Sequence, residues 1–258
     1  AGEEERWFVS STSGRRVRAS DTCEKCGSWR LRQRGIGIQQ VYDECVETFP
    51  NQPVLLFDNI TASTRKKAEN IINEFYNNRN VILVGTQMTI PYLTDKGVDL
   101  SAIISLDATR ANPTWRADED VLRLLFELRE LSHKEVVVQT RSKPDILLSY
   151  ATTGSLDSFY TDEISLREQL SYPPFSTFIL LSYVGNKSTV EETEKQIKLL
   201  TRTFDGSYYS NPFSHDDKIL RYALFRITNT SKNLSEFIQI IRSLPPYIKM
   251  EIDPNRIV

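Results

Sequence analysis

The sequence contains little of what most disulfide, metal or acid–base sites need: three cysteines, two histidines and two methionines in 258 residues. Three cysteines, two of them in a Cys-x-x-Cys pair, argue against a disulfide framework and indicate a reducing compartment, which we take to be the cytoplasm. His133 and His215 leave little material for acid–base catalysis. No apolar run approaches the roughly 18 residues that span a bilayer, so we expect no membrane partner. The net charge of −2 means that any nucleic-acid site has to be local.

The cysteine pair has the form of one half of a zinc ribbon. Cys23-Glu-Lys-Cys26 is followed by a glycine, and Ser10 and Ser13 stand thirteen residues before the two cysteines. Serine is a poor zinc ligand because its alkoxide is not available at neutral pH. We therefore expect at most a partial zinc site at Cys23 and Cys26, and a turn without metal is the alternative.

The hydrophobic pattern predicts an α/β architecture in the middle of the chain. Val54–Phe57 is a continuous apolar run of the kind buried in parallel sheets, and Asp58 follows it. Predicted strands at 54–57, 80–84, 102–107 and 135–140 alternate with predicted helices at 41–49, 63–77 and 115–131, and further helices follow at 145–170. This alternation predicts a doubly wound parallel sheet. Cys45, on the first of these helices, is expected to be buried.

A change of pattern at Tyr172-Pro173-Pro174-Phe175 predicts a domain boundary, because two prolines cannot continue a helix. The rest of the chain predicts a small α+β domain, with strands at 178–184, 219–227 and 248–252, helices at 188–204 and 234–244, and a loop at 205–217. Ser188-Thr-Val-Glu191 has the form of a capping box that opens the first of these helices. The predicted domains are 1–34, 35–171 and 172–258. The chain begins Ala1-Gly2-Glu3 without Met, so we expect a fragment or a processed chain.

Taken together, eight short strings resemble a known family. They are Cys23-x-x-Cys26-Gly27-Ser28, Gly35-Ile36-Gly37, Phe49-Pro50, Thr64-Arg65-Lys66, Ile82-Leu83-Val84-Gly85-Thr86-Gln87-Met88, Glu135-Val136-Val137-Val138-Gln139-Thr140, Tyr172-Pro173-Pro174-Phe175 and Ile252-Asp253-Pro254. In this order and spacing the chain resembles the C-terminal half of the primosomal replication-restart helicases, the PriA family. The string around Gly85 and the Tyr-Pro-Pro-Phe string are fairly specific together.

The resemblance implies a RecA-like second helicase lobe, a partial zinc-ribbon insertion and a small C-terminal α+β domain. It implies at most one zinc ion, with Cys23 and Cys26 as two of its ligands. It also implies forked or single-stranded DNA, the single-stranded-DNA-binding protein and primosome proteins as partners. ATP and magnesium are implied only where a first helicase lobe exists.

The chain departs from the family at the positions that carry ATP chemistry. It resembles a superfamily 2 DNA helicase, but it contains neither Walker element. Where the family has a glycine- and arginine-rich finger segment, this chain has Phe126–His133, in which Glu127 and Glu130 would repel phosphate. The resemblance therefore predicts helicase chemistry that is lost or incomplete in this chain, and no catalytic residue is assigned.

The candidate DNA-binding residues fall into three groups. An Arg-rich N-terminal segment contains Trp7, Phe8 and Trp29, whose rings could stack on bases. Gly85, Thr86 and Gln87 follow a strand of the predicted parallel sheet, where ligands bind in such folds, and a tight strand-to-helix turn with Thr86 as N-cap is the alternative. Arg116 and the Arg221-Tyr222 pair match family positions. The full set is Arg15, Arg16, Arg18, Arg30, Arg32, Gly85, Thr86, Gln87, Arg116, Arg221 and Tyr222.

Three functions remain open from the sequence. The first is a PriA-like DNA-binding protein of replication restart that acts in primosome assembly at forked DNA. The second is an active 3′–5′ ATP-dependent helicase whose first lobe lies outside this chain. The third is a protein-interaction scaffold that does not bind DNA.

Overall fold

The computed structural model describes residues 37–111, 114–142, 145–210, 218–228 and 231–255, together with the backbone at 7–9 and 16–18. It is a mixed α/β structure that divides into two compact units. One unit comprises Ala1–Leu106 and Glu127–Thr140, and the other comprises Asp107–Phe126 and Arg141–Val258. The domains predicted from the sequence, 1–34, 35–171 and 172–258, have other boundaries than these two units, and they stay a prediction.

The first unit is built around short parallel strand pairs. Strands β3 (Val54–Phe57) and β4 (Ile82–Gly85) pair in parallel, as do β5 (Val98–Ile103) and β6 (Ser132–Val138). Helix α1 (Ile38–Thr48) precedes β3, helix α2 (Arg65–Asn77) connects β3 to β4, and a 3₁₀ helix (Gln87–Tyr92) follows β4. The backbone of β1 (Trp7–Val9) pairs antiparallel with β2 (Arg16–Arg18). Helices α3 (Leu106–Arg110) and α4 (Ala117–Leu131) have residues in both units.

The second unit contains a four-stranded antiparallel sheet in the order β10-β7-β9-β8. Helices α5 (Ile146–Thr153) and α6 (Leu156–Gln169) precede this sheet. The chain then runs β7 (Ser176–Gly185), α7 (Lys187–Leu200), β8 (Gly206–Ser210), β9 (Ile219–Thr228), α8 (Ser231–Arg242) and β10 (Lys249–Ile252). None of the helices described is long and apolar enough to cross a membrane.

Alternation along the two central strands gives the sheet two different faces. Ile179, Leu181 and Phe225 lie on one face, in a core that also contains Val190 of α7 and Phe237 of α8. The opposite face carries a second buried group, consisting of Trp115, Phe178, Leu180 and Leu224. Because successive residues of β7 and β9 are buried on both sides, these strands read as nearly continuous apolar runs in the sequence.

Most predicted elements are confirmed, but three are wrong in part. The strand predicted at 102–107 lies earlier, at Val98–Ile103, and a helix begins at Leu106. Asp99 and Ser101 interrupt the apolar pattern of its first half, and the apolar Leu100 and Ala102 between and after them are exposed. The loop predicted at 205–217 contains β8 at Gly206–Ser210. The order of the last domain is therefore β-α-β-β-α-β rather than β-α-β-α-β.

The predicted capping box is also wrong, because α7 begins two residues earlier. Asn186 is the N-cap, and its side-chain oxygen accepts hydrogen bonds from the backbone N–H and the hydroxyl of Thr189, both within 2.9 Å. Ser188 instead donates its hydroxyl to the same Asn186 oxygen. Cys45, expected to be buried, is half-buried on α1.

Candidate nucleic-acid interface

The predicted contact residues Gly85, Thr86 and Gln87 lie together at the carboxyl end of β4, and all three are exposed. A side chain at position 85 would collide with Thr89, whose hydroxyl oxygen lies 2.2 Å from the place of a Cβ atom. The close approach of the Thr89 side chain therefore favours glycine at position 85. Thr86 is the N-cap by position, but its side chain makes no capping hydrogen bond. Its hydroxyl and the Gln87 amide thus remain available at the exposed strand end.

The neighbouring strand β3 ends in a closed turn built on Asp58. The Asp58 carboxylate accepts hydrogen bonds from the backbone N–H groups of Ile60 and Thr61 and from the Thr61 hydroxyl. Burial raises the pKa of Asp58, but these hydrogen bonds outweigh burial and hold the pKa below its usual value of 3.8. The Leu56 carbonyl lies equally close to the Thr61 hydroxyl, so the two acceptors share its single proton. Asp58 therefore fixes the strand end next to Gly85, with a single carboxylate oxygen, Oδ1, accepting all three hydrogen bonds.

Arg116 is stacked on a buried tryptophan in the second unit. The Arg116 guanidinium carbon lies 4.2 Å from the centroid of the Trp115 ring, and that ring is only 6% exposed. The Trp115 indole N–H donates to the Pro254 carbonyl at 3.0 Å, which fixes the ring. The Arg116 Nε atom is buried and has no hydrogen-bond partner among the described residues. Arg116 is thus stacked on a fixed ring, and its side chain is half-buried.

A second guanidinium approaches the same tryptophan, and sequence reasoning missed it. Arg167 lies 4.8 Å from the Trp115 ring and donates to Glu163 and Glu119, both at 2.7 Å. Burial lowers the pKa of Arg167, but the two carboxylates outweigh burial and raise the pKa. The i,i+4 spacing of Glu163 and Arg167 on α6 was a local signal for half of this network. Glu119 lies 48 residues away in sequence, so no local pattern could have indicated it.

Arg221 and Tyr222 lie on opposite faces of the four-stranded sheet. Arg221 donates to the Glu194 carboxylate of α7 at 2.5 Å, and Lys198 donates to the same carboxylate. Burial raises the pKa of Glu194, but Lys198 and Arg221 outweigh burial and keep the pKa below its usual value. Arg221 is therefore engaged within the protein, whereas Tyr222 packs at the border of the Trp115 group on the other face.

The remaining predicted residues all belong to the N-terminal segment 1–34. Arg15, Arg30, Arg32, Cys23 and Cys26 lie outside the described residues. Arg16 and Arg18 belong to β2, where Arg18 is opposite Trp7 and Arg16 is opposite Val9 in the backbone register. Within the described part of the chain, no group of three or more histidine, cysteine, aspartate or glutamate residues could hold a metal ion. The predicted contact residues thus belong partly to one unit and partly to the other.

The fold is that of a mixed α/β protein. It combines small parallel strand pairs with an antiparallel sheet that two helices cover on one face. No family model matches the chain. Curated relatives do match it. The replication restart protein PriA of Chlamydia trachomatis is 29% identical over 193 residues, which is 72% of this chain and 26% of the relative.

Two further relatives carry the same name. PriA of Bacillus subtilis is 30% identical over 166 residues, 62% of this chain and 21% of the relative. PriA of Rickettsia typhi is 26% identical over 235 residues, 86% of this chain and 36% of the relative. The chain is therefore PriA-like, which confirms the resemblance of its motifs. It spans between about a fifth and about a third of the length of these relatives.

Proposed function

We propose that this chain is the DNA-binding part of a PriA-like replication-restart protein, acts in primosome assembly at forked DNA, and carries no complete ATP-hydrolysing machinery of its own. The observation that carries the proposal is the similarity to replication restart protein PriA over 62–86% of the chain. The polypeptide works in the cytoplasm, alongside the single-stranded-DNA-binding protein and primosome proteins.

The structure supports a DNA contact at the carboxyl end of β4. Exposed Gly85, Thr86 and Gln87 offer a backbone close to the surface, a hydroxyl and an amide, which are the groups that hydrogen-bond phosphate oxygens. The parallel pairing of β3 with β4, and of β5 with β6, supports a RecA-like lobe as the frame for this contact. Arg116, held on Trp115, supplies a cation in the second unit.

Zinc is part of the proposal only as a structural ion. Cys23 and Cys26 have the spacing of one zinc knuckle and provide two of the four ligands that a structural site needs. The other two ligands would have to come from elsewhere. A zinc ion held in this way would brace the Arg-rich segment and take no part in a reaction.

Two other functions stand as alternatives. An active 3′–5′ helicase would need a P-loop and magnesium ligands from outside this chain, because the sequence contains no G-x-x-x-x-G-K-[ST] motif. A protein-interaction scaffold would need no DNA contact at all. The engagement of Arg221 with Glu194 is the observation that favours the scaffold, because it removes one predicted DNA cation.

Binding of fluorescein-labelled forked DNA to this chain, followed by anisotropy at low salt, tests the proposal. We expect saturable binding that Gln87→Ala weakens by about 3- to 10-fold, the worth of one hydrogen bond. The control Thr94→Ala changes an exposed residue of the same unit, whose hydroxyl donates to the Pro91 carbonyl one turn away, and it should bind normally. A chain that folds but does not bind the fork would favour the scaffold.

A further inference from the structure

The four-stranded sheet of the second unit ends in an open edge at β10. The strand order β10-β7-β9-β8 gives β10 one hydrogen-bonded neighbour, β7, and within the described residues no strand lies on its other side. All the residues of β10, Lys249–Ile252, are exposed. An edge strand presents a row of unpaired N–H and C=O groups, to which another strand can add. The edge of β10 is therefore a place where a second chain can extend the sheet.

The hydrogen bond that follows β10 shows which of its backbone groups face outward. The Asp253 N–H donates to the Phe178 carbonyl at 2.7 Å, so the backbone of Asp253 faces β7. Along an antiparallel strand the backbone groups of successive residues face alternate sides, so Glu251 faces β7 as well. The N–H and C=O groups of Met250 and Ile252 therefore face away from the sheet, where they are available to a further strand.

The apolar side chains of β10 extend a core that is not fully covered at this edge. Met250 and Ile252 lie opposite Leu181 and Ile179, on the face that α7 and α8 cover. They are nevertheless 44% and 56% exposed, so the apolar surface of this face continues to the edge of the sheet. Burial of such surface is the main favourable term in most protein association. A second strand at this edge would bury part of both side chains.

The charged side chains of β10 lie on the other face and are opposite in sign. Lys249 and Glu251 are both exposed, and neither makes an ion pair with another residue in the described part of the chain. A lysine on an edge strand usually opposes pairing between copies, because its charge is left without a partner or meets a like charge. In β10 the glutamate two residues later can meet the lysine of an antiparallel copy. The charge pattern of this strand is therefore self-complementary.

The charges also distinguish between two antiparallel registers in which the outward-facing groups of two β10 strands can meet. When the two-fold axis passes at Met250, each Lys249 lies opposite the Glu251 of the other copy. When the axis passes at Glu251, two glutamates meet. Opposite charges directly across an antiparallel pair stabilise the pair, and like charges destabilise it. The first register is therefore favoured, whereas the other edge strand, β8 (Gly206–Ser210), has no charged residue that could select a register.

We propose that this chain forms a two-fold symmetric dimer in which β10 pairs antiparallel with β10 of a second copy. The two four-stranded sheets join into one continuous sheet, with Met250 and Ile252 at the junction on one face and two Lys249–Glu251 pairs on the other. The inference goes beyond the proposed function and does not depend on DNA binding. Because two short strands bury a small area, we expect a weak dimer that forms at about 100 µM.

Sedimentation velocity of the chain without DNA, between about 5 and 300 µM, tests the inference. We expect the weight-average mass to rise toward twice the monomer mass. Lys249→Glu and Glu251→Lys each create two like-charge pairs in the junction and should weaken association by about 10-fold. An equimolar mixture of the two variants should associate as the wild type does, because every acid then meets a lysine. A merely structural role of either residue would not give this rescue.

Matched controls make the same changes of charge on α7, away from the edge. Lys195→Glu and Glu192→Lys alter exposed residues of the same unit, and each should dimerise like the wild type. Met250→Pro removes an N–H group that β7 does not use, and proline is tolerated where the N–H of an edge strand faces solvent. We expect this variant to fold, as circular dichroism and the unfolding midpoint would show, and to stay a monomer.

The outcomes either support the β10 junction or overturn it. A mass that stays that of a monomer up to about 300 µM overturns the inference. Equal dimerisation of the wild type and both charge variants shows that another surface associates, which overturns it as well. If Met250→Pro does not fold, the mixture decides: rescue supports the junction, and no rescue contradicts it. Fork binding is measured separately, so that failure of one proposal leaves the other to its own test.

Discussion

Asp58 shows how a single carboxylate can hold a strand end in place for a site that lies beside it. Its oxygen accepts three hydrogen bonds within the turn Asp58–Thr61, and this geometry needs an acceptor in a fixed position. The turn closes β3, whose parallel partner β4 ends at Gly85. A carboxylate at the end of a parallel strand is often taken as catalytic. Here its hydrogen bonds are used for structure.

Asp58→Asn should lower the free energy of unfolding by about 1–2 kcal/mol near neutral pH, because charged acceptors make stronger hydrogen bonds. The pKa of Asp58 is lowered in the folded protein, so the folded state binds fewer protons than the unfolded chain. The ionised form therefore contributes stability above the usual pKa of 3.8, and this stability is lost as the pH falls through the lowered value. Urea unfolding at several pH values between about 6 and 2.5 measures the effect.

The control for this experiment is Asp43→Asn on α1. Asp43 is exposed and accepts only from Gln39 one turn away, so its loss should change the free energy of unfolding by less than about 0.5 kcal/mol. A difference between wild type and Asp58→Asn that stays the same from pH 6 to pH 2.5 would contradict the assigned hydrogen bonding.

Helix α7 provides the sharpest comparison between sequence pattern and structure at the scale of elements. Asn186 caps the helix, whereas the sequence predicted Ser188. We expect Asn186→Ala to lower the free energy of unfolding by about 1 kcal/mol, because the first-turn N–H of Thr189 loses its acceptor. Ser188→Ala should change it by less than half as much. Thermal or urea unfolding of both variants distinguishes them, and equal losses would mean that the cap is shared.

Elements with a strong hydrophobic period were predictable, and those with polar alternation were not. Val54–Phe57 was predicted with the bounds that the structure has, since four apolar residues in a row suit a buried strand. Strand β8 was missed because Gly206–Ser210 consists of glycine, serine and tyrosine and lies at a sheet edge. Such a strand takes its pairing from β9, and the pairing partner cannot be found from a local pattern.

The candidate site was predictable where its residues adjoin in sequence. Gly85, Thr86 and Gln87 could be placed together at one strand end because they are consecutive, and their contact with DNA stays a prediction. Neighbours across strands are different: Tyr209 lies opposite Tyr222 through the register of β8 with β9, which no local pattern indicates. Arg221 shows the converse: a matching motif indicated a DNA contact, but an α7 carboxylate binds the guanidinium.

At the scale of the whole molecule, the even balance of charge limits how DNA could be bound. With 32 basic and 34 acidic residues, the chain has no overall attraction for a polyanion. Binding must then come from small local sites, such as the carboxyl end of β4. Interactions of this kind involve few phosphates, so they lose less affinity with salt than a broad basic surface would.

The sequence lacks the motifs that ATP hydrolysis requires, and we therefore predict that this chain alone hydrolyses no ATP. Phosphoryl transfer needs a loop that holds the phosphates, a ligand for magnesium and a cation for the developing charge, and an arginine finger alone contributes about 10³- to 10⁵-fold. The sequence has no P-loop motif, and the segment Phe126–His133 places Glu127 and Glu130 where the family has glycine and arginine. Phosphate release should stay at background with or without forked DNA, although the fork is bound. Release that saturates with ATP and rises when the fork is added would contradict this prediction, because a cation other than a family-type finger would then have to act on the phosphate.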